Sequence, residues 1–211
     1  MTIVETIEGI TDWLSANVCK GLLLKLPDDA QNSDGYKTEE VEPTAFAMYQ
    51  PGKDKLPPNV RAPFPSVVVQ LLEGSDDTTK AHGTIKIQLS FTTWNPGTHA
   101  GEEKQSEGVL VADEDVDIGV RLEKPAEEAA YRRTTDGWKD VWNFVDRTLA
   151  KLEAADYIGG EARIVKEQPI TFGQFQQEGQ ISDLYPYWGA WIIFTIERAI
   201  ALKATDLQQF L

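Results

Sequence analysis

The chain is short of the residues from which active sites are usually assembled. It has one cysteine, Cys19, and two histidines, His82 and His99. A lone cysteine excludes an intramolecular disulfide and points to a reducing compartment. Cations are scarce too: 20 Lys and Arg stand against 34 Asp and Glu, a net charge of −14. Wrapping nucleic acid or docking on an anionic membrane needs clustered cations and counterion release, so both are disfavoured. Long apolar runs are missing, and no stretch approaches the roughly eighteen consecutive apolar residues of a membrane-spanning helix. The opening residues, MTIVETIEGITDWLSANV, carry neither a basic leader nor an uninterrupted apolar core. Neither a signal peptide nor a membrane anchor is expected, and the reading is a soluble intracellular product. No G-x-S-x-G elbow, H-E-x-x-H pair or Walker loop occurs. Catalytic, cofactor-binding and metal-ligating residues are therefore expected to be none, and the protein is not expected to be an enzyme.

What the chain does have is an amphipathic stretch, Asp136 to Leu152, DGWKDVWNFVDRTLAKL. Trp138, Val141, Trp142, Val145, Leu149 and Leu152 recur at steps of three, four and seven, one stripe of a 3.6-residue helix. Lys139, Asp140, Asp146, Arg147 and Lys151 take the other faces. Thr135 or Asp136 can cap its start, and Gly159-Gly160 is read as the stop behind its end. So bulky a stripe needs a flat apolar partner.

Strands on both sides of that helix supply one. Residues 2 to 17 read as a first amphipathic helix, with Ile3, Ile7, Ile10 and Leu14 inward and Glu5, Glu8 and Asp12 outward. Residues 27–65 hold seven of the eleven prolines and read as an ordered surface excursion, with a short strand in TAFAMYQ. SVVVQLL, Ser66 to Leu72, is a buried strand, EGSDDTTKAHG a polar hairpin connection, and Thr84 to Trp94 a strictly alternating antiparallel strand. A second, acidic excursion covers 98–134, where Val109 to Val111 and Ile118 to Leu122 are candidates for a small hairpin. Ala162 to Val165 and Gln168 to Phe172 read as one strand interrupted near Pro169. Tyr187 to Glu197 is the last strand, and apolar residues on both its faces place it centrally. The tail, KATDLQQFL, is weakly patterned. At 211 residues and 23.5 kDa the expectation is a single α+β domain, residues 1–211, with insertions at about 27–65 and 98–134. Its centre is a mostly antiparallel four-stranded sheet with two helices packed on one face.

Each residue that suggests chemistry has a plainer reading. His82 and His99 lie in polar stretches beside glycine, as exposed loop residues do. Asp113, Asp115 and Asp117 start like a calcium loop, but Ile118 and Lys124 stand where an EF-hand needs glycine and a bidentate glutamate. Cys19 has no partner residue nearby in sequence and reads as a small buried hydrophobe. Gly159-Gly160 follows a helix and does not precede one, so it is no phosphate loop. Trp138, Trp142, Trp188 and Trp191 are read as mortar between helix and sheet, in preference to a ligand platform.

The order of elements resembles a known family. An amphipathic N-terminal helix precedes FPSVVVQLLEG and GTIKIQLSFTTW; DGWKDVWNFVDRTLAKL follows, then PITFGQF and LYPYWGAWIIFTIERA. This succession of helix, hairpin, helix and hairpin, with an aromatic closing strand after a Tyr-Pro turn, resembles the tail terminator (tail-completion or neck) proteins of long-tailed bacteriophages, over about two-thirds of the chain. The resemblance implies a structural virion protein of the tail or neck, assembled in the host bacterial cytoplasm. As a homohexameric ring it would cap the tail tube and offer the surface that joins the head connector. Its partners would be copies of itself, the tube and the connector, with DNA passing through unbound and no membrane contact. The family has no motif by which a functional residue can be carried over, and neither insertion has a counterpart in its compact members. Another head–tail connector or minor tail protein of the same fold, or a small-molecule-binding α+β domain, are the competing readings.

Overall fold

The computed structural model describes residues 2–27, 39–77, 79, 81–96, 137–177, 180–182 and 184–199. Helix α1, Ile3–Leu14, starts with a capping box: Glu5 N–H donates to Thr2 Oγ1 at 3.2 Å, and Thr2 N–H donates to Glu5 Oε2 at 2.7 Å. Those hydrogen bonds hold the Glu5 carboxyl below its usual range, the one to the Thr2 backbone first. Thr6, Ile7, Ile10 and Leu14 form the buried face, while Ile3, expected inward, is left exposed at the helix mouth. A π-helical turn, Ser15–Cys19, continues the helix and buries Val18 and Cys19.

The expectation of four strands is corrected: the main sheet has seven. Its long members are β4 (Ser66–Asp77), β5 (His82–Trp94) and β11 (Tyr187–Ala199). On one edge β3 (Thr44–Ala47) lies parallel to β4, placing the middle of the proline-rich excursion in the sheet itself. On the other, β7 (Ala162–Ile164) and β8 (Thr171–Gln174) both run antiparallel to β11, and β6 (Tyr157–Ile158) pairs with β7. The sheet thus gains short edge strands whose two to four residues are too few to show a period. β7 and β8 share one edge of β11, Ile164 opposite Ile196 and Thr171 opposite Ile193, with the chain looping out between them at Pro169. They behave as the single interrupted strand that was expected. Two small ribbons lie outside the sheet: β1 (Leu24–Lys25) with β2 (Glu40–Val41), and β9 (Gln176–Gln177) with β10 (Gln180–Ile181).

Two further readings change. EGSDDTTKAHG is mostly strand, not connection, because β4 and β5 stay paired out to Asp77 and His82. Leu72 is the extra residue of a bulge between Leu71 and Glu73, and it stands exposed. Gly159-Gly160 does not stop the helix but turns β6 into β7, with φ of +57° and +92°. Gly159 also meets Gly9 of α1 backbone to backbone: a Cβ on Gly9 would lie 2.6 Å from the Gly159 carbonyl oxygen. The proposed hairpin in 98–134, the acidic triplet Asp113–Asp117, His99, the Thr135/Asp136 cap and the C-terminal tail lie outside the described residues.

One face of the sheet holds the core. Val67, Val69, Ile85, Ile87, Leu89, Phe91, Ala190, Ile192, Phe194 and Ile196 pack there against α1 and α2 (Trp138–Ala154). α2 buries a stripe turned from the expected one: Val141, Phe144, Val145, Thr148 and Leu152. Phe144 was missing from that expectation, yet it is fully buried, edge-on to Phe91 with ring centroids 4.9 Å apart. Thr148 is tolerated because its hydroxyl donates to the Phe144 carbonyl at 2.8 Å. Trp142 is half-buried at the border, edge-on to Phe172, and Trp138 is 42% exposed. The mortar between helix and sheet is therefore Phe144, with Trp142 sealing its side. Phe144→Ala should lower unfolding free energy by about 3–5 kcal/mol, Trp142→Ala by clearly less, and Trp138→Ala by no more than about 0.5 kcal/mol. Urea unfolding of the three variants checks that order.

Candidate functional site

The outer face of the sheet is graded along its strands. Near the hairpin tip it is charged and hydroxylated. Lys86 pairs with Glu73 at 3.2 Å, the Ser75 and Thr84 hydroxyls meet at 2.9 Å, and Thr195 donates to Gln168 at 2.6 Å. These residues and Gly74 line an open cavity of about 300 Å³. Its polar groups satisfy one another and present neither a nucleophile–base pair nor a ligand cage. Midway, Gln70, Gln88 and Ser90 form a side-chain ladder with contacts of 2.7–3.2 Å. Toward the other end the face turns aromatic: Trp191 covers Gly173 and donates to the Gln174 carbonyl at 2.9 Å, and Phe64 packs against Tyr187.

Among the described residues, those singled out from sequence are not brought together into one site. His82 opens β5 and its Nε2 lies 3.7 Å from Glu197, which also contacts Arg163 at 3.4 Å. Cys19 is buried in the core, and burial pushes its thiol up to about 12, so it is inert as a nucleophile at neutral pH. Trp188 donates its indole N–H to the Asn95 carbonyl at 2.9 Å. No group of three or more His, Cys, Asp or Glu able to hold a metal ion occurs among the described residues. No helix among them is long and apolar enough to cross a membrane. A second cavity, about 150 Å³, lies between β1–β2 and the Asn59–Pro65 stretch, where Arg61 pairs with Glu39 through both oxygens.

One polar constellation among the described residues was not identified by sequence reasoning. Asn95, just after β5, is buried, and its Nδ2 donates to Asp140 Oδ2 at 2.7 Å. Its backbone N–H donates to the Pro186 carbonyl at 3.0 Å, and the Tyr185 hydroxyl donates to the Pro96 carbonyl at 2.9 Å. Gly137, which precedes α2, abuts the same place: a Cβ there would lie 2.1 Å from the Asn95 carbonyl oxygen and 2.6 Å from the Trp188 indole nitrogen. Asn95 and Gly137 are thus in contact, and the chain between Pro96 and Gly137 leaves and returns at one point. That stretch, 97–136, holds eleven carboxylates and five cations. Asp140 was expected only to lie off the apolar stripe of the helix, and here it helps clamp the stem. Burial raises its carboxyl above the ordinary range, opposed by the Asn95 hydrogen bond and by Lys25, and assisted by Glu40. It lines neither cavity described above. The only sequence signals were an Asn-Pro-Gly turn and an acid in a helix's first turn, 45 positions apart.

No protein-family model matches the chain, and no curated protein matches it in sequence.

The stem makes a pH-dependent prediction. A folded-state pKa raised above the unfolded value means that the native chain holds a proton the unfolded chain has released. This contribution is present below the ordinary carboxylate range and is lost as pH rises through the raised value. Asp140→Asn keeps an acceptor for Asn95 without the desolvated charge. It should be as stable as the parent or more stable at pH 7, with a flatter stability profile on the acid side. Asp140→Ala removes that acceptor and should fall about 1–3 kcal/mol below the Asn variant. Thermal melts of all three between pH 4 and pH 7 check both points.

Proposed function

We propose that this protein is a structural subunit of a bacteriophage neck, a tail terminator that caps the tail tube as a hexameric ring and presents the surface for head joining. The observation that carries the reading is the order and pairing of elements. An N-terminal helix, the β4–β5 hairpin, helix α2, the β7–β8 edge and the closing strand β11 follow one another as in the terminators that the sequence resembles, with both helices on one sheet face. Two stretches depart from the compact members of that family. The chain leaves for residues 97–136 and returns from them at the Asn95–Gly137 stem, and the 27–65 excursion meets the sheet through β3 and through Phe64, which packs on Tyr187.

Charge supports the same reading. A ring through which DNA travels works best if it does not grip phosphate, and a subunit of net charge −14 repels it. Lys86 with Glu73, Ser75 with Thr84, Thr195 with Gln168, and the Gln70–Gln88–Ser90 ladder pair among themselves on the outer sheet face, which suits a surface that meets other proteins better than one that turns over a substrate. On this proposal the protein is not an enzyme and takes no cofactor. It resides in the virion after assembly in the bacterial cytoplasm, and its partners are the tube, the connector and its own copies. A neighbouring connector or minor tail protein of the same fold is separated from this reading by phenotype. In a deletion lysate viewed by negative stain, tails should be abnormally long or unable to join heads. Tails of normal length on filled heads would remove the terminator assignment.

A further inference from the structure

Strand β4 is covered along only part of its outer edge. β3 lies beside Ser66–Val69, and the Met48 N–H bond to the Val69 carbonyl, 2.7 Å, ends that ladder. β4 continues to Asp77, paired on its other edge with β5, and no strand among the described residues lies beside Gln70–Asp77. Peptide groups alternate in direction along a strand. Pro65 and Val69 accept from Thr44 and Met48, so before the bulge the odd-numbered residues turn their backbone toward β3. The extra residue, Leu72, resets that count: beyond it Gly74 and Asp76 turn N–H and C=O to the free edge, while Glu73, Ser75 and Asp77 turn theirs to β5. A row of open backbone groups on an edge is a template for another strand.

We infer that Glu73 and Asp77 are gatekeepers that stop this edge from pairing with the same edge of a second copy of the chain. The template is self-complementary. Two β4 edges related by a two-fold axis at Ser75 bring Gly74 of each chain opposite Asp76 of the other, which satisfies every open backbone group past the bulge. It is the one antiparallel register that engages both residues of each chain. In that register Ser75 meets its own copy, and Glu73 meets Asp77 of the second copy on each side of the axis. These are the closely spaced positions of an antiparallel ladder, with Cα atoms about 4.5 Å apart, and like charges set directly opposite there oppose pairing. Asp77 is held in place by the Thr79 N–H and hydroxyl, at 3.0 and 2.5 Å. Lys86 lies 3.2 Å from Glu73, but the Glu73 side chain is 72% exposed, so that pair offsets its charge only in part. The bulge at Leu72 reinforces the two acids by ending the run of evenly spaced groups. Such a guard works whichever partners the protein has, so it stands or falls apart from the neck reading.

Disulfide trapping in the full-length protein tests the guard. Cys19 is buried and leaves the background low, whereas Ser75 is exposed and would face its own copy across the axis within disulfide reach. Three chains are followed in a glutathione redox buffer. The first carries Ser75→Cys alone, and the second adds Glu73→Gln and Asp77→Asn. The third adds Glu8→Gln and Glu153→Gln to Ser75→Cys, which removes the same charge from exposed positions on α1 and α2. The edge variant should form disulfide-linked dimer about tenfold faster than either of the others. Salt at about 1 M should narrow that gap by screening the acids of the first and third chains. Equal rates in the edge and helix variants would show that total charge, and not this edge, holds copies apart, and would overturn the inference. An edge variant no faster than Ser75→Cys alone would overturn it too.

Discussion

Strand β11 is the member on which the rest of the molecule depends. It is paired over its whole length with β5 on one edge and in two places with β7 and β8 on the other. Ala190, Ile192, Phe194 and Ile196 are buried toward the helices, while Trp191 and Ile193 are half-covered on the outer face. A strand enclosed on both edges and most of both faces cannot move without breaking ladder hydrogen bonds whose groups would find no water. At its far end Arg198, buried, reaches across to Asp76 of β4 with contacts of 2.8 and 3.0 Å. At its near end Trp188 and Tyr185 clamp the stem. One element therefore ties the hairpin tip, the helix layer and the root of the acidic stretch together.

The parts of this arrangement that were legible in the sequence are those governed by local period. Alternation from Ile85 to Phe91 and apolar residues on both sides of Tyr187 to Glu197 identified the half-buried and the central strand, because a pleated strand turns its side chains over every residue. Helix α2 was also plain, but its rotation was not. The two tryptophans drew the stripe toward Trp138 and Trp142, and a helix flanked by bulky residues on adjacent faces fits either setting to within one residue's turn. Which setting holds is decided by Phe91, a partner far away in the chain that accepts Phe144. β6 was missed and β7 and β8 were merged, because two to four residues carry no period and their membership in the sheet is set by β11 and by one another.

The stem was illegible for a different reason. Asn95 and Asp140 are ordinary polar residues at a turn and a helix start, and nothing local distinguishes them. Their meaning comes from the fold bringing Pro96 and Gly137 together, a non-local event. Function in this chain, on the reading offered, is a matter of surfaces and of where they point, so its determinants are dispersed in the sequence by construction.

The close approach of Gly9 and Gly159 has a consequence for how the molecule opens. With no side chain between them, the backbone of α1 and that of the β6–β7 turn share a contact that leaves no room for solvent. The first helix cannot lift off the sheet without exposing the turn, and the turn cannot fray without uncovering the helix. Two segments from opposite ends of the chain then form one cooperative unit, whose amides exchange with solvent together and at similar free energy. The N-terminal helix is, in that sense, a clasp on a strand pair made near the other end.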